Sequence, residues 1–569
     1  MNSLKNLKKY ITKKEYLILV IAGIISLLLA NSLNLILPTI IAKIIDEFQI
    51  TQTIETKYYV ITGIALITCT IFTFLHTYLN SVLGEKIGKD LKDRLFKKIL
   101  KHNYSYLVEN KPSKILTVIN SDTLYIKNTF TQAIGAALMA IFMLVGSLIL
   151  MFSLNQKLAL IIVISAPTLI GILILLIKDK FKLFKKIQQL RDNLNKVIAE
   201  NIKATMLIKV FVSEKTEIKK FKKVNKQNKK LGLELNKVFA TVVPAVNSLS
   251  LLATGAILYF GGKEVIYNNM TIGDVTAFNT YVQLFTLPIL MLGLMITTLG
   301  QAFASLKRID EILNAPIKFK DGTESIEHFE EIETKNLNLK IEDTNVLKDI
   351  NFSINKGEKI GILGLTGSGK TIFLKTFLRA LEPTSGNFLL NGTDIEEYRI
   401  KEVRKLIGFS FQENFLFNDS LYENIRFGRR LNKKEILKAG RVAEIKEFVK
   451  KLDKGYFSNV GERGNNLSGG QKQRVMIARA LASNPELLIL DDATSRLDIE
   501  TESKVFENIK KEYRDISIIL VAQKIASVKD CDRIYIFDSG KIEESGTHEQ
   551  LLKTSVLYQE IELSQRNHG

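Results

Sequence analysis

Apolar residues dominate the first 310 positions of the chain, where they form six windows without a single charged residue. The windows cover residues 16–42, 58–84, 128–156, 158–177, 238–262 and 275–306. Each window reaches or exceeds the roughly 20 residues that a helix needs to cross the hydrocarbon core of a bilayer. A buried helix in a soluble core is usually about half as long and carries a polar stripe. The pattern therefore predicts six transmembrane helices.

Two of the connections between these windows are long and rich in lysine, at residues 85–127 and 178–237. Within them, Leu91 to Leu100 and Phe181 to Leu235 alternate apolar and charged residues at helical spacing, with few residues that break helices. The spacing predicts helical stalks that extend the membrane helices into the cytoplasm. A disordered, lysine-rich linker is the alternative interpretation.

The polarity of the chain changes near Ala315 and Pro316. Short apolar runs typical of strands follow, and then strand-like and helix-like segments mix, which predicts an α/β domain. We therefore place a membrane domain at residues 1–314 and an α/β domain at residues 315–569.

A glycine-rich turn follows the strand-like run Lys359 to Leu363 and precedes a helix-like segment, Ile372 to Leu381. Strand, glycine-rich loop and helix are the setting of a phosphate-binding loop, or P-loop, in which backbone N–H groups and the helix N-terminus surround phosphate oxygens. Lys370 is expected to reach the β- and γ-phosphates of ATP, and the Thr371 hydroxyl to hold Mg²⁺. The residues of this predicted loop are Gly364, Leu365, Thr366, Gly367, Ser368, Gly369, Lys370 and Thr371.

A second strand-like run, Leu487 to Leu490, ends in two acids, Asp491 and Asp492. A buried parallel strand that delivers a carboxylate at its carboxyl end is how P-loop proteins bind Mg²⁺, and Asp491 takes that role here. The pair of acids alone is a weak signal, but its position downstream of a P-loop makes it strong.

A second glycine-rich helix start precedes the helix-like segment Lys472 to Leu481. Such a start offers N–H groups, a hydroxyl group and a positive helix dipole to an anion. One domain does not need two sites for a γ-phosphate, so we expect this segment to serve an ATP that is bound to a partner domain. Its residues are Leu467, Ser468, Gly469, Gly470 and Gln471.

The net charge of +20 raises the question of nucleic-acid binding. Within the first 310 residues, however, the lysines lie mainly before the first window and in the two long connections, which is the asymmetry of the positive-inside rule. This places the N- and C-termini in the cytoplasm and argues against a nucleic-acid partner. The two cysteines, Cys69 and Cys531, fit neither a disulfide framework nor a zinc site.

In their order along the chain, these motifs resemble those of the ATP-binding cassette (ABC) transporter superfamily. Further segments resemble its Q-loop (Gln412), its D-loop (Ser495 to Asp498) and its closing segment (Gly540 to His548). The first half resembles the six-helix exporter domain, with Ile272 to Pro288 similar to its sixth helix. The resemblance implies a half-transporter that must dimerise: a membrane α-helical domain of six long helices with cytoplasmic stalks, followed by an α/β P-loop ATPase domain of the ABC type. It also implies that Gln412 contacts Mg²⁺, and that coupling elements lie near Pro112 to Asn120 and Val210 to Glu217.

Three positions depart from the pattern of that family. Asp492 stands where a catalytic glutamate is expected, and its carboxylate is one methylene shorter. Gln523 stands where a switch histidine is expected, and an amide carries no charge. Ile341 aligns loosely with an adenine-stacking aromatic residue and offers no π-face. Because the family's ATP sites combine the P-loop of one chain with the signature, Leu467 to Gln471, of another, we interpret this chain as the degenerate-site half of a heterodimeric exporter.

The predicted function is ATP-driven efflux of amphipathic small molecules, such as drugs or lipids, across the cytoplasmic membrane of a bacterium. Polar side chains within the membrane windows either line the path of the substrate or join helices. These polar residues are Asn31, Asn34, His76, Asn80, Asn247, Asn279 and Gln283. Two alternatives remain open, namely a homodimeric exporter with a slow ATP site and a membrane nucleotide sensor that does not pump.

Overall fold

The computed structural model describes residues 13–164, 167, 171, 181–317, 320–341 and 344–566. The chain divides into two compact units. The first unit lies within Met1–Leu100 and Pro112–Ala315, and the second within Lys101–Lys111 and Pro316–Gly569. The sequence did not predict that the short segment Lys101–Lys111 groups with the second unit.

Long helices make up the first unit, as the apolar windows predict. Three of them are much longer than a membrane crossing and continue into the lysine-rich connections, as expected for stalks. The helices are α1 (Lys14–Thr51), α2 (Thr56–Lys101), α4 (Pro112–Leu154), α5 (156–164), α6 (Phe181–Lys203), α7 (Thr205–Val210), α8 (Glu214–Ile266) and α9 (Ile272–Asn314), while α3 (Tyr104–Glu109) belongs to the second unit.

Within the described residues, four helices are long and apolar enough to cross a membrane: α1, α2, α4 and α8. These four contain the predicted windows 16–42, 58–84, most of 128–156 and 238–262. Window 275–306 lies inside α9, whereas window 158–177 falls largely outside the described residues.

Helix α9 is anchored to α1 by two hydrogen bonds. The Asp46 carboxylate accepts from the backbone N–H of Gly273 at 2.8 Å, which satisfies one of the donors that a helix N-terminus leaves unpaired. Further along, the Tyr281 hydroxyl donates to the carbonyl oxygen of Leu35 at 2.7 Å. Thr271 starts α9 in a capping box, in which its hydroxyl oxygen accepts from the N–H of Asp274.

A buried ion pair joins α4 to the other end of α9. The side chain of Asp122 is 1% exposed and accepts from the Arg308 guanidinium, with Nε 2.8 Å from Oδ2. The Ser305 hydroxyl donates to the same carboxylate at 2.8 Å. Asp122 ends a π-helical turn, Val118–Asp122, and such turns insert an extra residue that redirects side chains.

Polar side chains within the predicted membrane windows find partners, two of them on a neighbouring helix and one within α2. The Nδ1 atom of His76 lies 2.9 Å from the carbonyl oxygen of Gly23, and the amide nitrogen of Asn80 lies 3.1 Å from Nε2 of His76. The Thr254 hydroxyl donates to Oδ1 of Asn279 at 2.8 Å. These contacts satisfy polar groups where water is scarce, which favours the structural interpretation of His76, Asn80 and Asn279.

The second unit has two sheets with helices around them. Its strands are β1 (Glu331–Ile341), β2 (Thr344–Asn355), β3 (Lys359–Gly364), β4 (Ser385–Leu390), β5 (Thr393–Asp394), β6 (Ile407–Ser410), β7 (Leu487–Asp491), β8 (Ser517–Val521), β9 (Arg533–Asp538) and β10 (Lys541–Gly546). Its helices after α9 are α10 (Lys370–Phe377), α11 (Ile400–Leu406), α12 (Leu421–Arg426), α13 (Lys433–Val442), α14 (Lys446–Val449), α15 (Gly469–Leu481), α16 (Ile499–Glu512), α17 (Ile525–Val528), α18 (His548–Thr554) and α19 (Val556–Arg566), with short 3₁₀ turns at Gly455–Phe457 and Glu462–Gly464.

Strand order explains how distant motifs meet. The smaller sheet is antiparallel in the order β2-β1-β4-β5, and the larger sheet has the order β10-β9-β3-β8-β7-β6. Strands β3, β8, β7 and β6 are adjacent and parallel, so their carboxyl ends lie along one edge. Both faces of this sheet are covered, since β7 and β8 are buried at every position.

Candidate functional site

The predicted P-loop leaves the carboxyl end of β3 and leads into α10. Its first residue, Gly364, must be a glycine, because a Cβ there would lie 2.2 Å from the carbonyl oxygen of Phe537. The Lys370 ammonium group donates to the carbonyl oxygens of Gly364 and Leu365, at 2.8 and 2.7 Å. Burial lowers the pKa of Lys370, and the nearby carboxylates of Asp491 and Asp492 oppose that shift. A buried cation bonded by neutral carbonyls is a ready partner for a phosphate.

Thr371 and Asp491 meet at this edge of the sheet. The Thr371 hydroxyl donates to Oδ1 of Asp491 at 3.2 Å, and Asp491 is 2% exposed at the end of β7. Its other oxygen, Oδ2, is buried and has no hydrogen-bond partner among the described residues. Burial raises the pKa of Asp491, and the hydrogen bond from Thr371 opposes the rise.

The Thr371 hydroxyl and the Asp491 carboxylate are better suited to binding a divalent cation than to forming a purely structural hydrogen bond. A buried carboxylate oxygen without a partner is costly unless something positive binds it. No group of three or more His, Cys, Asp or Glu side chains that could hold a metal occurs in the described ranges. A site with one carboxylate and one hydroxyl group suits Mg²⁺, which usually keeps several waters and binds substrate phosphates.

Asp492, the predicted catalytic residue, has a left-handed backbone with φ of 52°. Its N–H donates to the carbonyl oxygen of Val521 at 3.1 Å, which fixes the turn after β7 to the end of β8. Burial raises the pKa of its carboxyl group, while hydrogen bonds from Ser495 and Gln412 oppose the rise. The carboxylate therefore lies between the Q-loop and the D-loop segments.

Gln412 and Gln523 complete the same edge. Gln412 is exposed just beyond β6, and its amide bonds to Asp492. Gln523 is exposed just beyond β8, where Val521 pairs with Ile362 of β3 in parallel register. Hydrogen bonds and charge interactions thus bring together Lys370, Thr371, Asp491, Asp492 and Gln412, and the fold places Gln523 at the carboxyl end of the neighbouring strand.

The signature segment starts α15 with a capping box. Ser468 accepts from the N–H of Gln471 at 3.3 Å, and the Gln471 amide oxygen accepts from the N–H of Ser468 at 2.9 Å. Gly470 must lack a side chain because a Cβ would lie 2.9 Å from the carbonyl oxygen of Arg496. Within the described part of the chain, no hydrogen bond joins Leu467–Gln471 to the P-loop residues.

Ile341 ends β1, is partly buried, and packs against the core around β1 to β4. The two residues that follow it lie outside the described ranges. Its predicted contact with adenine therefore stays a prediction.

Sequence reasoning missed several residues that shape this site. Gln473 on α15 is buried and donates to the carbonyl oxygen of Asp492 at 3.3 Å and to Ser495 Oγ at 3.1 Å, and its own amide oxygen accepts from the N–H of Arg496 at 2.8 Å. It therefore links the signature helix to the turn after β7. A glutamine three residues beyond a glycine pair carries no signal of such a contact.

Another missed contact involves α3, which groups with the second unit. The Lys375 ammonium group on α10 lies 4.6 Å from the centroid of the Tyr104 ring and 3.4 Å from its hydroxyl oxygen. The charge of Lys375 also opposes the rise that burial causes in the pKa of Asp491. Lys101–Lys111 group with this unit. The coupling elements expected near Pro112 to Asn120 and Val210 to Glu217 stay a prediction.

Two family models match the chain. The model of the "ABC transporter transmembrane region" matches residues 20–289, and the model of the "ABC transporter" matches residues 347–495. A solved structure described as "Structure of a bacterial Atm1-family ABC exporter with ATP bound" superposes with a TM-score of 0.80 at 22% identity. The superposition covers 96% of this chain and 98% of the other.

Several curated proteins match along nearly their whole length. A Bacillus subtilis (strain 168) protein called "Uncharacterized ABC transporter ATP-binding protein YfiB" is 31% identical over 560 residues, with 97% of each chain covered. The "ATP-dependent lipid A-core flippase" of Syntrophus aciditrophicus (strain SB) is 29% identical, covering 93% of this chain and 89% of its own. The "Putative multidrug export ATP-binding/permease protein YgaD" of Bacillus subtilis (strain 168) is 28% identical, with 96% of each chain covered.

Proposed function

The chain belongs to the ABC transporter family, as an exporter-type fusion of a transmembrane domain with an ATP-hydrolysing domain, and we propose that it is the degenerate-site half of a heterodimeric exporter. The observation that carries the proposal is the composition of the edge formed by β3, β8, β7 and β6. It presents a complete P-loop together with Asp492 and Gln523 in the places of the glutamate and histidine that the family normally uses.

The need for a second chain follows from the signature segment. Exporter half-transporters of this family generally dimerise, and each ATP then lies between the P-loop of one chain and the signature of the other. The capped, glycine-rich start of α15 offers backbone N–H groups and a positive helix dipole to an anion. Among the described residues it makes no hydrogen bond to its own P-loop. This favours a role for Leu467–Gln471 at the ATP of a partner.

Asp492 supports the assignment of slow hydrolysis at the chain's own site. Its carboxylate ends one methylene short of a glutamate, and hydrogen bonds from Ser495 and Gln412 engage it already. A displacement of about 1 Å can cost on the order of 10²-fold in rate. Gln523 adds a second defect, since an amide can neither carry charge nor shuttle a proton.

Mg²⁺ is part of the proposal because Thr371 and Asp491 supply oxygen ligands and Gln412 lies next to them through Asp492. When bound, the ion neutralises charge on the phosphates of ATP. Lys370 would hold the phosphates, and Oδ2 of Asp491, which has no hydrogen-bond partner among the described residues, would be available to the ion.

The proposed cargo is an amphipathic small molecule, either drug-like or lipid-like. The names of two relatives refer to a lipid A-core flippase and to multidrug export, which supports this class for the present chain. The proposed location is the cytoplasmic membrane of a bacterium with both termini in the cytoplasm, since lysines gather in the stalk connections.

The test is purification of the tagged full-length chain from its own host membranes, with subunit composition measured by mass spectrometry and ATPase activity measured on the same sample. We expect a second, different half-transporter in equal amount and ATPase activity that the chain expressed alone lacks. Brisk hydrolysis by copies of this chain alone would support the homodimer instead. Absence of hydrolysis with every co-purified partner would support the nucleotide sensor.

A further inference from the structure

The segment that follows β8 is held by a side chain from the last described helix. The amide nitrogen of Gln565 donates to the carbonyl oxygen of Gln523 at 2.8 Å, and its amide oxygen accepts from the N–H of Ile525 at 2.9 Å. A carbonyl can only accept and a backbone N–H can only donate, so the partners themselves fix the orientation of the Gln565 amide. One side chain thus bonds the backbone on both sides of Lys524.

Helix α19 is a firm base for this contact. Tyr558 is completely buried, and its hydroxyl oxygen lies 2.7 Å from Nδ1 of His548. The Ser555 hydroxyl oxygen accepts from the N–H of Tyr558 at 3.2 Å and so caps the helix. Gln565 follows Tyr558 by seven residues, or about two helical turns, so both project from the same face.

The residues just after the segment are packed tightly. Ile525 and Val528 of α17 are buried, and a Cβ on Gly361 of β3 would lie 2.8 Å from the Cβ of Val528. In contrast, Gln523 and Lys524 are exposed. Packing therefore fixes α17, and the N–H of Ala522 donates to the carbonyl oxygen of Ile362 at 3.2 Å. Between these two anchors, the carbonyl oxygen of Gln523 and the N–H of Ile525 are bonded by Gln565.

We propose that Gln565 is a positioning residue for the ATPase reaction: it fixes the backbone of residues 523–525 and thereby directs the side chain at position 523 toward the bound nucleotide. The inference rests on the chain being an ATPase and not on the heterodimer. It assigns to α19 a role in nucleotide binding, although α19 lies in a part of the sequence without nucleotide motifs.

The test compares two glutamines of the same helix. Gln565→Met keeps the length of the side chain and removes both hydrogen bonds, and Gln559→Met is the matched control, because Gln559 donates at 2.7 Å to the carbonyl oxygen of Leu552 and not to residues 523–525. Both variants are made in the full-length chain with Cys69→Ala, which leaves Cys531 as the sole thiol. Hydrogen exchange, affinity for N-methylanthraniloyl-ATP and alkylation of Cys531 are measured for each.

In Gln565→Met we expect the amide of Ile525, followed in a peptide that covers residues 522–526, to exchange about 10-fold faster, because this amide loses its one hydrogen bond to Gln565. We also expect weaker binding of the fluorescent nucleotide. Cys531 is buried, a Cβ on Gly361 would lie 3.4 Å from its sulfur, and it belongs to the same apolar cluster as Tyr558 of α19. It should therefore stay protected from alkylation while α19 remains docked. Gln559→Met should change none of the three readouts.

Three results would overturn the proposal. Unchanged exchange in residues 522–526 would show that Gln565 does not hold the segment. Rapid alkylation of Cys531 in Gln565→Met would show that the glutamine docks the helix and does not position the segment.

Gln565→Glu is a second variant, since it keeps the acceptor for the N–H of Ile525 but places a carboxylate against the carbonyl oxygen of Gln523. It should weaken nucleotide binding as Gln565→Met does, and unaltered binding would count against the proposal.

Discussion

The Thr371 hydroxyl group lies 3.2 Å from the Asp491 carboxylate, although 120 residues separate them in the chain. The contact arises because β3 and β7 flank β8 in the parallel part of the sheet, so that both residues follow strands that end at the same edge. This edge offers a cation a hydroxyl group and a buried carboxylate, one oxygen of which has no hydrogen-bond partner in the described ranges.

The pH dependence of Mg²⁺ binding should reflect the buried setting of Asp491. Burial raises the pKa of its carboxyl group above the ordinary value of 3.8. Mg²⁺ requires the charged form, so the effect of Mg²⁺ on ATP binding should fade as the pH drops, at a higher pH than for an exposed aspartate. Nucleotide binding with and without Mg²⁺ between about pH 4.5 and 7.5 measures this. Asp491→Asn should lose the dependence on Mg²⁺ at every pH.

Without Mg²⁺, a rise in pH should lower the stability of the protein through Asp491, whereas the same rise in pH improves Mg²⁺ binding. The folded protein holds the Asp491 proton more tightly than the unfolded chain, so the contribution of this group to the free energy of unfolding falls as the pH rises from 3.8 through the raised pKa. In thermal unfolding without Mg²⁺, the stability of Asp491→Asn relative to the native chain should increase as the pH rises across that window. A decrease of this relative stability with rising pH would contradict the assignment.

Asp492→Glu should raise hydrolysis at the chain's own site only modestly, by less than about 10-fold. The longer side chain of glutamate places its carboxylate where the family's catalytic residue would have it, but Gln523 still lacks the charge of a histidine. The left-handed backbone at position 492 also suits aspartate better than glutamate. Single-site turnover of the variant in the assembled transporter is the measurement, and an increase of a hundredfold would mean that the side-chain length was the sole defect.

Arg479 on α15 is expected to be essential for the stability of the second unit. Its guanidinium donates to the carbonyl oxygens of Asn424 and Phe415, at 2.7 and 3.0 Å, and stacks 4.8 Å from the centroid of the Phe427 ring. Burial lowers its pKa to about 10. Arg479→Ala should cost about 3 kcal/mol in the free energy of unfolding, because it leaves the carbonyl oxygen of the buried residue Asn424 without this donor and removes the contact with Phe427.

Arg479→Lys is the matched control for that prediction. A lysine keeps the positive charge but cannot direct donors to several carbonyl oxygens in a plane, so it should recover only part of the loss. Denaturant unfolding of the three proteins gives the comparison. Equal stability of the lysine variant and the native chain would show that charge alone matters.

The pair Asp122 and Arg308 should respond asymmetrically to mutation. Arg308→Ala leaves a carboxylate that is 1% exposed without its counter-ion, whereas Asp122→Ala leaves an arginine whose side chain is 43% exposed and can reach water. Removal of a buried partner typically costs about 3–5 kcal/mol, so Arg308→Ala should destabilise the first unit by that much and Asp122→Ala by less. Thermal unfolding of both variants and of the double variant tests this. A double variant less stable than Arg308→Ala would argue against the pair.

The sequence predicted those parts of the site that follow strands. The P-loop, Asp491 and Asp492 each come directly after an apolar run, and parallel strands bring such ends together whatever the intervening chain does. The six windows likewise follow from the length that a bilayer requires.

Contacts that depend on how helices pack could not be predicted in this way. Asp122 and Arg308 are 186 residues apart, and their meeting depends on the π-helical turn in α4 and on the approach of α9. Gln473 and Gln565 look like ordinary polar residues on helices, because which side chain reaches which backbone group depends on helix rotation. A local pattern carries no information on that rotation.

The central claim is that the signature of this chain, Leu467–Gln471, completes an active ATP site on a partner chain, whereas the ATP site at its own P-loop hydrolyses slowly. The most direct test is the ATPase rate of the transporter purified from its own membranes with Asp492→Asn in this chain, a substitution that keeps the size of the side chain and tolerates the left-handed backbone. The account predicts a rate within about twofold of the native transporter, since Asp492 belongs to the slow ATP site and not to the site that carries the turnover. A fall of about 10²-fold or more, the loss expected for a general base, would contradict it.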